Sequence, residues 1–197
     1  MGLQLHIAAN VFSVEESADG EPYHQAVAKE VRPGMRVLDM GTGSGVSALL
    51  AARAGANVVA VDVNPEAVEC ARANAEQNGL SERIVFVYGD LFETVEGDFD
   101  LIIFDPPFRW FEPRDVLERS HADADYRTLS AFMAEAPTRL RVSGRTIMNF
   151  GTSGDLDYFH ELIDRSGLVA EETRYGEATK LDYTAEYFII RLSKRAS

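Results

Sequence analysis

Apolar positions along the chain fall into two rhythms, short near-continuous runs of strand length and longer stretches in which apolar residues return every three or four positions. The runs Val37–Met40, Asn57–Val63, Ile84–Tyr88, Phe99–Phe104 and Arg145–Phe150 predict buried strands, and Leu168–Arg174 and Ala185–Leu192 predict two alternating strands joined by a loop over Tyr175–Thr184. Between them lie helical patterns. Tyr23, Ala26, Val27 and Val31 mark a helix stopped by Pro33-Gly34, and Ser47–Ala54 predicts a second. A third runs Glu66–Asn78, with Ala67, Val68, Ala71 and Ala75 on one face, behind an Asn64-Pro65 start and before Gly79. Tyr126, Leu129, Phe132, Met133, Ala136 and Leu140 define a core-facing helix, and Leu156, Phe159 and Ile163 another that ends at Gly167. Leu3–Val14 has some β character and leads into an acidic loop. This alternation predicts an α/β doubly wound, mostly parallel sheet of seven strands.

At 197 residues the chain has the length of one well-cored domain, 1–197, with 1–33 as a lead-in to the first core strand. No apolar run approaches the ~20 residues of a membrane span, and the first ten residues lack the pattern of a secretory signal, so a cytoplasmic protein is expected. The one cysteine, Cys70, excludes an internal disulfide, and no His/Cys cluster has metal-ligand spacing, so no metal is expected. A formal net charge of −13, from 32 acids against 19 bases, disfavours a nucleic-acid substrate, although Arg109, Arg114, Arg119 and Arg127 fall close together. Nothing in the composition fixes an oligomeric state.

The chemistry concentrates at strand ends. After the first strand, Gly41, Gly43 and Gly45 arrive at every second position before a helix, a turn in which the backbone bends sharply and a ligand can approach helix N–H groups without a Cβ in the way. A pyrophosphate-binding turn would read G-x-G-x-x-G, but Val46 stands where its last glycine would fall. Asp39, two residues before the turn, repels a phosphate and attracts an ammonium or sulfonium. The stretch VLDMGTGSG resembles the first motif of the class I S-adenosyl-L-methionine (SAM)-dependent methyltransferases, in which the glycine turn, here Gly41, Thr42, Gly43 and Gly45, cradles the methionine part of SAM.

The resemblance extends over nearly the whole chain from Pro22 and implies an antiparallel last strand. Asp62, at the carboxyl end of the second strand, is placed to accept from two ribose hydroxyls. Asp90 corresponds to the acidic residue that accepts from the adenine amine, with Val63 and Leu91 among the apolar neighbours of the ring; an Asx-type turn is the competing reading of Asp90. The N-terminal strip covers the cofactor in relatives, which brings in Glu16, Tyr23 and His24 as residues that line the site, against a plain solvated loop and helix face.

Asp105, Pro106, Pro107 and Phe108 form the catalytic candidate. Two prolines fix φ and remove two N–H donors, which leaves a rigid row of acceptors that recognises an amine or amide nitrogen. The row resembles the (N/D)-P-P-(Y/F) signature of methyltransferases acting on exocyclic or amide nitrogens, among them the release-factor glutamine enzymes of the small-methyltransferase group, although Asp105 stands where that subgroup usually has asparagine. The expected activity is methyl transfer to a nitrogen of a small molecule or protein, with Phe108 stacked on the planar group. Two alternatives share the pocket: an enzyme that transfers or cyclises the aminocarboxypropyl arm of SAM, and a SAM-binding partner module without chemistry.

Overall fold

The computed structural model describes residues 2–12, 20–115, 117–180 and 183–195. Its sheet has seven strands, β1 (Arg36–Met40), β2 (Asn57–Asp62), β3 (Ile84–Tyr88), β4 (Phe99–Phe104), β5 (Leu140–Gly151), β6 (Leu168–Lys180) and β7 (Tyr183–Lys194), in the order β3-β2-β1-β4-β5-β7-β6. β1 to β5 pair in parallel, and β7 runs antiparallel to both β5 and β6. The chain winds outward from β1 to β3 and then restarts beside β1 with β4. That reversal opens a crevice at the carboxyl ends of the strands.

The helices α1 (Gly20–Glu30), α2 (Val46–Arg53), α3 (Pro65–Gln77), α4 (Arg127–Arg139) and α5 (Leu156–Ser166) cover the sheet. Period-two alternation sorts the strand residues between two cores. Leu38, Met40, Ile102, Phe104, Met148 and Phe150 join Leu129, Phe132, Met133 and Phe159 of α4 and α5. Val37, Val58, Ala60, Leu101, Ile103 and Ile147 face Tyr23, Val27, Ala48 and Leu49 of α1 and α2. The same parity places Asp39, Asp105 and Asn149 toward the second face, at its carboxyl edge.

Caps set the helix starts. Asn64 Oδ1 accepts the Glu66 N–H at 3.0 Å with Pro65 in the first turn, and Asp155 Oδ1 accepts the Tyr158 N–H at 2.9 Å. The α4 N-terminus takes its cap from Asp123, which accepts the Thr128 and Leu129 N–H groups at 3.1 and 2.9 Å. α5 ends on Gly167 at φ 75°.

Three expectations change. Residues 3–12 of the opening segment pair with no strand among the described residues, and residues 13 and 14 lie outside them: the backbone is held by two asparagines one turn apart on α3 and just beyond it. Asn74 accepts the His6 N–H at 2.8 Å and donates to His6 O at 2.8 Å, and Asn78 does the same to Gln4 at 3.0 and 2.7 Å. The extended pattern is real, but side-chain amides satisfy it. Second, most of Tyr175–Thr184 is strand rather than loop, since β6 and β7 pair from Leu168↔Lys194 to Lys180↔Tyr183 as one long hairpin. Third, β5 starts at Leu140, five residues before Arg145, because a register shift between Phe99 and Leu101 lets it pair with β4 earlier.

Candidate active site

The carboxyl ends of β1 to β4 open into a cavity of about 1440 Å³, walled also by Val11 and Phe12 of the N-terminal strip, by Leu117, Arg119 and His121 of the segment after β4, and by the start of α4. This exceeds the ~300–1,000 Å³ usual for a single small ligand and leaves room for a second molecule. Of the sequence-predicted residues, Asp39, Gly41, Thr42, Gly43, Asp62, Val63, Asp90, Leu91, Asp105, Pro106, Pro107 and Phe108 all border it.

Gly45 does not. It starts α2 at φ 88°, and a Cβ there would lie 2.9 Å from the Ala71 Cβ of α3, so close packing of the two helices requires a glycine at this position. Gly43, at φ 55°, is the opposite case: a Cβ would meet nothing within 4 Å, and the space it would fill belongs to the cavity. Tyr23 is likewise no wall residue. It is 1% exposed, donates its hydroxyl to Ile147 O at 3.3 Å, and has a pKa raised by burial and by the nearby Asp105 and Asp39. His24, buried beside it, does border the cavity, and Glu16 lies outside the described residues.

Asp39 organises the turn from below. Its Oδ2 accepts from Thr42 Oγ1 at 2.6 Å and from the Ala48 N–H at 3.1 Å, so a carboxylate on β1 supplies the cap that Gly45 cannot. Burial pushes its pKa up to about 7, against the lowering effect of those two donors. Asp62 bridges two loops: Oδ2 accepts the Gly43 N–H and Oδ1 the Asn64 N–H, both at 2.8 Å. Burial raises its pKa too, opposed by the backbone N–H groups of Asn64, Gly43 and Val63. A carboxylate has about four acceptor positions, so each oxygen can still receive a hydroxyl.

Asp90 stands exposed in the cavity after β3, and the turn it begins is closed by its carbonyl, which accepts the Glu93 N–H at 3.1 Å. Leu91 takes φ 46°, a conformation uncommon for a branched side chain, which fits a position where the surrounding packing dictates the backbone. Behind the Pro-Pro corner, Phe108 packs against Phe150 with ring centroids 5.1 Å apart, and its carbonyl accepts the Tyr126 hydroxyl at 3.1 Å. The corner is thus braced from its apolar side.

Sequence reasoning misses two residues here. Asn149 Nδ2 donates to Asp105 Oδ1 at 3.1 Å, and the Tyr175 hydroxyl donates to Asn149 Oδ1 at 2.8 Å. A signal exists for the first, a lone amide inside the apolar run Thr146–Phe150. Tyr175 carries none, since its stretch has the pattern of a loop.

Residues 2–175 match the methyltransferase small domain family. The chain is 54% identical over 76 residues to a ribosomal protein L11 methyltransferase from Pelotomaculum thermopropionicum, covering 38% of this chain and 25% of that protein. It is 37% identical over 157 residues to a release factor glutamine methyltransferase from Rhodospirillum rubrum, covering 72% of this chain and 47% of that protein. The chain therefore spans from a quarter to about half the length of these relatives. A methyltransferase structure from Pyrococcus furiosus shares the fold, with a TM-score of 0.70 at 21% identity over 99% of this chain and 91% of that one. The acidic groups and glycine-opened space at the strand ends suit a nucleoside with a cationic arm, and the chain belongs to the methyltransferase small domain family, with S-adenosyl-L-methionine as its cofactor.

Proposed function

We propose that this chain methylates an amide or amine nitrogen of a protein substrate. The supporting observation is one cavity that contains both the glycine turn with Asp62 and the acceptor row Asp105-Pro106-Pro107. Gly41, Thr42 and Gly43 would hold the methionine part of SAM, Asp62 the ribose hydroxyls, and Asp90 with Val63 and Leu91 the adenine. When bound, the cofactor supplies a methyl group on a positively charged sulfur.

The chain's own residues handle the acceptor. The Asp105 carboxylate and the Pro106 carbonyl each receive one N–H of the substrate, which turns the nitrogen lone pair toward the cofactor side of the cavity. Pre-set orientation of this kind supplies a large part of a two-substrate barrier, and the prolines make it rigid. Methylation leaves the nitrogen with one proton too many, and the Asp105 carboxylate is the acceptor on hand to take it and pass it to water.

A cavity of about 1440 Å³ leaves room for a side chain of a protein substrate beside the cofactor, and such a substrate fits the names of the relatives. The net charge of −13 weighs against RNA or DNA.

The test is incubation with methyl-labelled SAM and, separately, a bacterial release factor and ribosomal protein L11. The expected result is label on a side-chain nitrogen of one of them, with S-adenosylhomocysteine as coproduct and Asp105→Ala inactive. Methylthioadenosine as the coproduct, or an Asp105→Ala variant with undiminished turnover, would overturn the reading.

A further inference from the structure

Asp105 is the end of a chain of side chains. Phe104 of β4 pairs with Met148 of β5, so the next residues, Asp105 and Asn149, are neighbours on the same face of the sheet. Asn149 is 1% exposed, and burial of an amide is tolerated only when both of its ends are satisfied. Its Nδ2 donates to Asp105 Oδ1 and its Oδ1 accepts from the Tyr175 hydroxyl. No other orientation of the amide works, because an ionised carboxylate can only accept.

Tyr175 reaches Asn149 from the sheet edge by a specific device. Arg174 pairs with Phe188 and Gly176 with Tyr187, which leaves Tyr175 as the extra residue of a β-bulge in β6. A bulge re-aims its side chain, here across β7 to β5.

We propose that Asn149 and Tyr175 are positioning residues that make Asp105 a directional acceptor for the substrate nitrogen, a proposal that rests on Asp105 being the residue that receives it. Asn149 takes one of the roughly four acceptor positions of the Asp105 carboxylate and so fixes the plane in which the others meet the substrate N–H. Were residue 105 an amide, Asn149 would attract its oxygen and turn its NH2 toward the substrate, donor against donor. Residues 105 and 149 are therefore a matched pair, and the match should be exchangeable.

The swap is the experiment. With a release factor as acceptor, Asp105→Asn should lower kcat by about 100-fold, the scale of one misdirected group in a transition state. Asn149→Asp, which sets two carboxylates against each other, should be similarly impaired. The double variant restores one donor and one acceptor between the two positions and leaves an amide oxygen at position 105 facing the substrate, so it should recover tenfold or more over either single change, the acidic proton of the methylated nitrogen then passing directly to water. Tyr175→Phe should lower kcat by about tenfold, the usual scale of one lost neutral hydrogen bond, with KM for SAM unchanged. A double variant no better than the worse single one, or full activity in Asp105→Asn, would overturn the proposal. A fully active Asp105→Ala would instead overturn the role of Asp105 itself. Side-chain amide NMR of 15N-labelled protein decides the matter without an acceptor. The Asn149 NH2 signals should shift in Asp105→Ala and broaden in Tyr175→Phe, and if they do neither, the relay does not exist.

Discussion

The Asp62 carboxylate accepts the backbone N–H of Gly43 at 2.8 Å, which ties the end of β2 to the middle of the glycine turn after β1. The same side chain accepts the Asn64 N–H and so fixes the start of α3. One carboxylate thereby sets the shape of the glycine turn and offers further acceptor positions to the cavity. Asp62→Ala should weaken SAM binding in calorimetry by one to two orders of magnitude, roughly the worth of one or two hydrogen bonds to a charged group. Asp62→Asn retains an acceptor at one end only and should fall between. Undiminished affinity in Asp62→Ala would place the ribose elsewhere.

Gly43 and Gly45 should separate binding from folding. Both have positive φ, and alanine there carries a backbone strain of about 1–2 kcal/mol. At Gly45 the new methyl also strikes Ala71, so Gly45→Ala should lower the melting temperature markedly more than Gly43→Ala. At Gly43 the methyl meets no protein atom and enters the cavity, so Gly43→Ala should lose SAM affinity while remaining well folded. Thermal melts with and without SAM check both. The reverse pattern would mean that the ligand approaches Gly45.

Asp39 gives stability a pH dependence of unusual sign. Burial raises its pKa in the folded chain to about 7 from an ordinary 3.8. Between these values the folded state keeps a proton that the unfolded state has released, so this group favours folding at the acidic end of the window and loses that contribution as pH rises through 7, by at most ~1.4 kcal/mol per unit. Both hydrogen bonds fall on one oxygen, Oδ2, which an asparagine amide oxygen can replace. Asp39→Asn should therefore show a flatter dependence of urea-unfolding free energy between pH 5 and 8, and should gain on the wild type toward pH 8. Parallel profiles for the two proteins would show that Asp39 ionises normally.

What the sequence makes legible follows from where its signals are local. Strands such as Asn57–Asp62 announce themselves because a sheet covered on both faces needs continuous apolar runs, and the glycine turn and Pro-Pro corner because few residue types tolerate those backbones. The register of β6 and β7 is hidden, since its evidence is a pairing between residues distant from the turn and a bulge that no composition marks. The packing role of Gly45 is hidden for a related reason: its φ is a local property, but the Ala71 contact that excludes a Cβ there comes from another helix. Asn149 and Tyr175 belong to the same class, side chains whose partners are 44 and 26 residues away.

Asn74 is the last of these, and it carries the largest expected effect on the architecture of the site. Fully buried on α3, it accepts the His6 N–H, donates to His6 O, and donates to Ser44 O at 2.9 Å, so one amide holds the N-terminal strip and the glycine turn together. That strip continues to Val11 and Phe12, which wall the cavity, and is tied again where Asn64 Nδ2 donates to Asn10 O at 2.9 Å. Asn74→Ala leaves the buried Ser44 carbonyl and the part-buried His6 backbone groups unanswered and should cost about 2–3 kcal/mol. Because part of the loss is local, residues 2–12 should become susceptible to proteolysis before the domain unfolds, and SAM affinity should drop through the loosened Ser44 side of the turn. Asn78→Ala, whose bonds to Gln4 are exposed, should free the strip less and leave SAM affinity nearly intact. Limited proteolysis with mass spectrometry, paired with calorimetry, distinguishes the two variants; equal behaviour would show that the strip and the turn are held independently.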